Sequence, residues 1–89
     1  MTKIVRRATA GTLESSDVYV ELEPGESGIE MILDSVVLNQ YGDSIRQTVA
    51  EVLAEQGVES AKISLTDRGA LDCVIRARVE TAILRGKGE

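Results

Sequence analysis

The residues of this chain that can carry a chemical group are few, and they are serines. The sequence has no histidine and a single cysteine, Cys73. Neither a Ser-His-Asp nor a Cys-His arrangement can be assembled from it, nor a Cys/His zinc site. It also lacks a Gly-x-Gly-x-x-Gly or Walker-type phosphate loop. A serine with no base beside it is a weak nucleophile, so any group it carries must be attached by a separate transferase. Three sites compete for that role: the turn Glu14-Ser15-Ser16-Asp17, Ser35 in Asp34-Ser35-Val36, and Ser44 in Gly42-Asp43-Ser44-Ile45. A tight turn over the first of these would lift its side chains off the sheet into reach of a modifying enzyme. The same Ser and Asp residues are also common turn formers in their own right. Ser35 and Ser44 are both placed where a helix N-cap would fall.

The elements that must position these serines belong to one small domain, residues 1–89, with loose ends expected over 1–4 and 86–89. A chain of this length buries roughly 60–65% of its unfolded surface, enough for one core and no deep cavity. Aromatic residues are limited to two tyrosines, so the core must be built from Val, Ile, Leu and Ala. The net charge of −5 disfavours nucleic acid, whose binding needs phosphates neutralised by Lys and Arg. Charge is unevenly spread: residues 14–34 hold Glu14, Asp17, Glu21, Glu23, Glu26, Glu30 and Asp34 with no cation, a run of −7. Such a surface can steer oppositely charged partners, and it is equally what a solvated sheet face looks like. No stretch reaches the ~18 apolar residues of a membrane span. Met1–Ala10 lacks the apolar centre of a secretory signal. With one unpaired cysteine, a reducing cytosol is the expected compartment.

Residues 17–23 alternate, with Val18, Val20 and Leu22 on one face and Tyr19, Glu21 and Glu23 on the other, which predicts a half-buried strand. Pro24-Gly25 suits a type II turn, and Ile29, Met31 and Leu33 begin a second alternation. The two together read as a hairpin. A weaker strand is predicted over Val5–Leu13. Ile45, Val49, Val52 and Leu53 form a helical stripe that ends at Gly57. Its start is open: Val37 and Tyr41 extend it back to a cap at Asp34 or Ser35, whereas Gly42 allows a cap at Asp43. Residues 59–66 alternate again, and a last helix is predicted over Ala70–Arg85 with Leu71, Val74, Ile75, Val79, Ala82 and Ile83 inward. The expected fold is α+β, order βββαβα: a two-layer sandwich of a mostly antiparallel sheet with two amphipathic helices on one face.

Two of the serine sites resemble the Asp-Ser-Leu signature of phosphopantetheine carriers, in which the serine opens a helix. Those carriers are four-helix bundles, which the strand pattern of residues 17–33 contradicts. A fuller resemblance covers residues 8–84. Ala10-Gly11-Thr12-Leu13-Glu14-Ser15-Ser16-Asp17 resembles the A-G-T-L-E-S-G-D segment of citrate lyase acyl carrier (gamma) subunits. Gln40-Tyr41-Gly42-Asp43-Ser44-Ile45-Arg46 is similar to their Q-F-G-D-x-I-R, and Arg68-Gly69-Ala70-Leu71-Asp72-Cys73-Val74-Ile75-Arg76-Ala77-Arg78-Val79-Glu80 to their K-G-A-L-D-C-x-L-R-A-R-x-E.

The resemblance implies a non-catalytic cytoplasmic carrier whose Ser15 holds 2′-(5″-phosphoribosyl)-3′-dephospho-coenzyme A through a phosphodiester. It implies as partners the alpha (transferase) and beta (lyase) subunits, which exchange acetyl for citryl on the arm and split citryl thioester into oxaloacetate and acetyl thioester during citrate fermentation. It also implies a holo-carrier synthase and an acetate ligase that modify the chain. Ser16 stands where that family often has glycine. The carrier subunit of malonate decarboxylase, with the same arm, is the nearest alternative, and an unmodified interaction module is another. In the last helix Arg78 falls inside the apolar stripe. It is read either as a stem overhanging the sheet edge or as a cation for a partner or an arm phosphate. Arg76 is assigned to a solvated face. Cys73 is read as an outward, inert thiol, open to cover by a neighbouring subunit.

Overall fold

A computed structural model describes residues 1–88. Three strands, β1 (Ala8–Gly11), β2 (Val18–Pro24) and β3 (Ile29–Ser35), precede helix α1 (Leu38–Glu55), strand β4 (Ala61–Asp67) and helix α2 (Asp72–Gly86). The order is the expected βββαβα. Both helices pack on one face of a four-stranded sheet, α2 over β1 and β2 and α1 beside β3. Between the layers lies an aliphatic core. Val18, Val20, Leu22, Ile63 and Leu65 rise from the sheet to meet Ile45, Val49, Val52 and Leu53 of α1 and Ile75, Val79, Ala82 and Ile83 of α2. No helix among the described residues is long and apolar enough to cross a membrane.

The strand order is β1-β2-β4-β3, and it corrects one expectation. β2 and β3 do not form a hairpin, because β4 lies between them. β4 pairs antiparallel with β2 (Val20↔Leu65) and parallel with β3 (Leu33↔Leu65). The parallel pair is what a helical crossover through α1 requires. Residues 25–28 thus cross the end of β4 instead of making a tight turn. A Cβ on Gly25 would lie 2.8 Å from the Ala61 nitrogen, and the Gly28 carbonyl accepts the Ala61 N–H at 3.1 Å. Positive φ falls on Gly28, at 75°, and not on Gly25 as a type II turn would need.

Helix α1 ends as expected in a Schellman motif. Gly57 takes φ 73°, and the Val58 N–H bonds the Leu53 carbonyl at 2.9 Å. Its start lies upstream of Gly42, and Val37 precedes it without a side-chain cap. Tyr41, read as part of the buried stripe, is 55% exposed, and so is Leu71 at 71%; α2 begins at Asp72, after it. Near the chain ends, the backbone makes hydrogen bonds to the body of the fold. Thr2 N–H bonds the Gly57 carbonyl, Gly88 N–H bonds the Lys3 carbonyl, and Ile4 is buried. Residue 89 lies outside the described residues.

β1 is shorter than the predicted Val5–Leu13 because the chain bends sharply at Gly11, where φ is 90°. A Cβ there would stand 1.8 Å from the Val18 carbonyl oxygen. The left-handed conformation alone costs an L-residue roughly 1–2 kcal/mol, and the clash adds to it. Gly11→Ala is therefore expected to lower stability by about 2 kcal/mol or more, read as a shift in urea midpoint at constant slope. An unchanged midpoint would show that the bend is not needed.

Candidate functional site

The turn that follows Gly11 is built around one carboxylate. Asp17 N–H donates to the Glu14 carbonyl at 3.2 Å, placing Ser15 and Ser16 at the two central positions of a β-turn. The Asp17 carboxylate then accepts four hydrogen bonds. Oδ2 takes the Thr12 hydroxyl at 2.7 Å and an Arg78 NH2 at 3.0 Å. Oδ1 takes the Val18 N–H at 2.7 Å and Arg78 Nε at 3.1 Å. Thr12 Oγ1 also accepts the Glu14 N–H at 3.2 Å. The Thr12 hydroxyl first, and the Arg78 guanidinium next, hold the Asp17 carboxyl at about 2, below its ordinary 3.8.

Arg78 thus has a partner within the chain, neither of the two fates expected for it. Its stem crosses Gly11, whose hypothetical Cβ would lie 3.3 Å from Arg78 Cδ. Glycine at position 11 therefore both allows the bend and leaves room for the arginine that clamps the turn. Arg76 lies one residue-pair away on α2 and ties that helix to α1 through Glu55 and, at 3.5 Å, Glu51.

The far side of the turn is pinned to the loop after β4. Ser16 N–H donates to the Arg68 carbonyl and Arg68 N–H to the Asp17 carbonyl, both at 2.9 Å. With its neighbours so held, Ser15 stands exposed at the crest, and its hydroxyl takes no part in the network. Ser16 has φ 65°, the left-handed conformation that glycine adopts freely.

The other two serines have different surroundings. Ser35 Oγ donates to Asp67 Oδ2 at 2.7 Å and accepts the Val37 N–H at 3.1 Å, so its hydroxyl is engaged at the entry to α1. Asp67, almost fully buried, also accepts the Ala70 N–H at 2.9 Å. Ser44 is exposed within α1, past its first turn rather than opening it. Cys73 is exposed and unpaired. Sequence reading missed the roles of Thr12, Asp17 and Asp67. The one local signal was an Asp directly after two serines in a turn.

Two outcomes test this construction. Because folding lowers the Asp17 pKa, the unfolded chain binds that proton more readily. Its contribution is complete above 3.8 and is lost as the pH falls toward 2. Asp17→Asn should cost about 1–3 kcal/mol near neutral pH, and its deficit in urea unfolding should close across that window; a deficit independent of pH would contradict the assignment. Ser16→Gly should stabilise by about 0.5–1 kcal/mol, the left-handed penalty less the added freedom of the unfolded glycine chain. Destabilisation would mean that the Ser16 side chain makes a compensating contact.

Comparison with known proteins gives this turn its context. Residues 5–86 match the family model described as malonate decarboxylase delta subunit, an acyl carrier family. The chain is 49% identical over 87 residues to the citrate lyase acyl carrier protein of Rhodopseudomonas palustris, covering 98% of this chain and 90% of that one. It is 52% identical over 84 residues to citrate lyase acyl carrier protein 2 of Salmonella paratyphi A, covering 93% and 87%. Among solved structures it superposes on a chain of a Pseudomonas malonate decarboxylase hetero-tetramer in complex with malonate, with a TM-score of 0.78, 25% identity, and coverage of 93% and 90%. Near-complete coverage at about half identity, on the fold described above, shows that the chain belongs to the citrate lyase acyl carrier protein family.

Proposed function

We propose that this chain is the non-catalytic acyl carrier subunit of a cytoplasmic citrate lyase, with 2′-(5″-phosphoribosyl)-3′-dephospho-coenzyme A joined to Ser15 by a phosphodiester. The observation that supports the reading is the setting of Ser15: its exposed hydroxyl stands at the centre of a turn whose backbone is pinned through Asp17, Thr12, Arg78 and Arg68, whereas the Ser35 hydroxyl is engaged by Asp67 and Ser44 lies within a helix. The relatives named as citrate lyase acyl carriers support the choice of complex. When attached, the arm supplies a terminal thiol that carries acetyl and citryl groups between the transferase and lyase subunits.

The residues present fit such a group. A phosphodiester needs a free hydroxyl and room around it, and the left-handed backbone at Ser16 turns the chain away from the crest. Arg68, exposed and bonded through its main chain to both Ser16 and Asp17, supplies a cation beside the attachment point. The acidic run over residues 14–34 repels the arm's phosphates and keeps it off the sheet. What the chain contributes is tethering: a bound acyl group meets each active site at an effective concentration set by the arm's length, not by diffusion. The rigid turn keeps the root of the arm in one orientation for the holo-carrier synthase that loads it and the acetate ligase that acts on its thiol.

A second reading has a specific observation behind it. The matching family model is described by a malonate decarboxylase subunit, and the superposed structure is a malonate decarboxylase. A carrier role on the same serine would hold there too, with a different transferase.

Production of the chain with the modifying enzymes of a citrate lyase system, followed by intact mass measurement, tests the proposal. The wild type should gain the arm's mass and support citrate cleavage in the assembled complex. Ser15→Ala should gain no mass and lose cleavage to background, while Ser44→Ala still gains the arm's mass. Full modification of Ser15→Ala would contradict the proposal. Loading only by malonate decarboxylase enzymes would select the second reading.

A further inference from the structure

Beside the turn lies an open groove of about 480 Å³, lined by Val37, Tyr41, Ser44 and Ile45 from α1 and its entry and by Ala70, Leu71 and Asp72 from the start of α2. We propose that this groove holds the neutral, thiol-bearing end of the arm between visits to the partner subunits, an inference that rests on Ser15 carrying that arm.

The connection from turn to groove is short. Ser16 bonds Arg68 directly, and the next residues, Gly69, Ala70 and Leu71, form the groove wall. An arm rooted at Ser15 therefore starts within a few residues of it. The volume falls in the range of small-ligand sites, roughly 300–1,000 Å³. Tyr41 and Leu71 are large, exposed at 55% and 71%, and face a common space in which an apolar guest would cover both.

Charge selects which part of the arm fits. No Lys or Arg lines the groove, and Asp72 does, so phosphates and carboxylates are unfavourable there. The pantetheine portion is uncharged, with a dimethyl group for the apolar walls and amides for the Ser44 hydroxyl and the Asp72 carboxylate. An acetyl thioester keeps that neutrality and can be sheltered from water. A citryl group, with its carboxylates, is left outside and exposed to the lyase.

The test uses the loaded chain in a Cys73→Ser background, so that the arm carries its one thiol. Intact mass and peptide mapping first establish the arm on Ser15. Its absence there overturns both the carrier reading and this one. With the arm in place, the rate of reaction with a thiol-specific disulfide reagent is compared between that chain and the same chain with Leu71→Asp. Leu71→Asp is expected to raise the rate by about tenfold, the factor for a group sequestered roughly nine-tenths of the time. Equal rates would overturn the groove proposal and leave the carrier reading intact. Amide chemical shifts supply a measurement without the groove substitution: loading should move Tyr41, Ser44, Gly69, Ala70 and Leu71. Shifts at those residues that appear only when the transferase subunit is added would overturn the proposal in favour of a protein occupant.

Discussion

A carboxylate that accepts four hydrogen bonds in a half-buried setting fixes everything attached to it, and Asp17 is such a group. Its partners come from Thr12 on one side of the turn, Val18 at the start of β2, and Arg78 in the middle of α2. Sheet, turn and helix layer are thereby locked to a single point. Charge-assisted, bidentate bonds of this type are stronger and more directional than neutral ones, so the turn keeps its shape without apolar burial. That matters at an exposed crest, where hydrophobic packing is unavailable. Gly11 belongs to the same device, since only a residue without Cβ both bends beside Val18 and lets Arg78 pass.

A second aspartate organises the neighbouring loops. Asp67 pairs in register with both Val18 and Ser35, at the edge of the sheet where β2 begins and β3 and β4 end. Buried and bonded to Ser35 and Ala70, it joins the entry of α1 to the loop that leads into α2. The two aspartates thus gather the turn, the start of α1 and the 68–71 loop at one end of the molecule. The topology is what permits this: with β4 between β2 and β3, the loop after β4 lies between the turn and the helix start. A β2–β3 hairpin would have separated them.

Much of this was legible in the sequence, for physical reasons that also mark where legibility ended. The alternation of Val18-Val20-Leu22 and Ala61-Ile63-Leu65, and the helical stripe Ile45-Val49-Val52-Leu53, are local periodicities, and each gave the right element and the right inward face. Gly57 marked the end of α1 because a Schellman cap is a local device. The strand order was not legible, since Pro24-Gly25 satisfies a hairpin rule while the deciding contact is with Ala61, far along the chain. Leu71 was misread because the periodicity extends back beyond the point where the helix itself begins. Arg78 looked out of place in an apolar stripe for a good reason, but its partner lies 61 residues away. Of the three serines, the local pattern left all open; the engagement of Ser35 with Asp67 and the mid-helix position of Ser44 separate them only in three dimensions.

The account comes down to one exposed hydroxyl at the centre of a turn whose backbone the fold pins on both sides. The arm's phosphodiester can be removed from the modified wild-type chain by mild base, which leaves a dehydroalanine at the residue that bore it. Fragmentation of the peptide spanning residues 8–46 then reads the position directly. The account predicts the dehydro residue at 15 and intact serines at 16, 35 and 44. A dehydro residue at any of those three, with serine 15 unchanged, would contradict it.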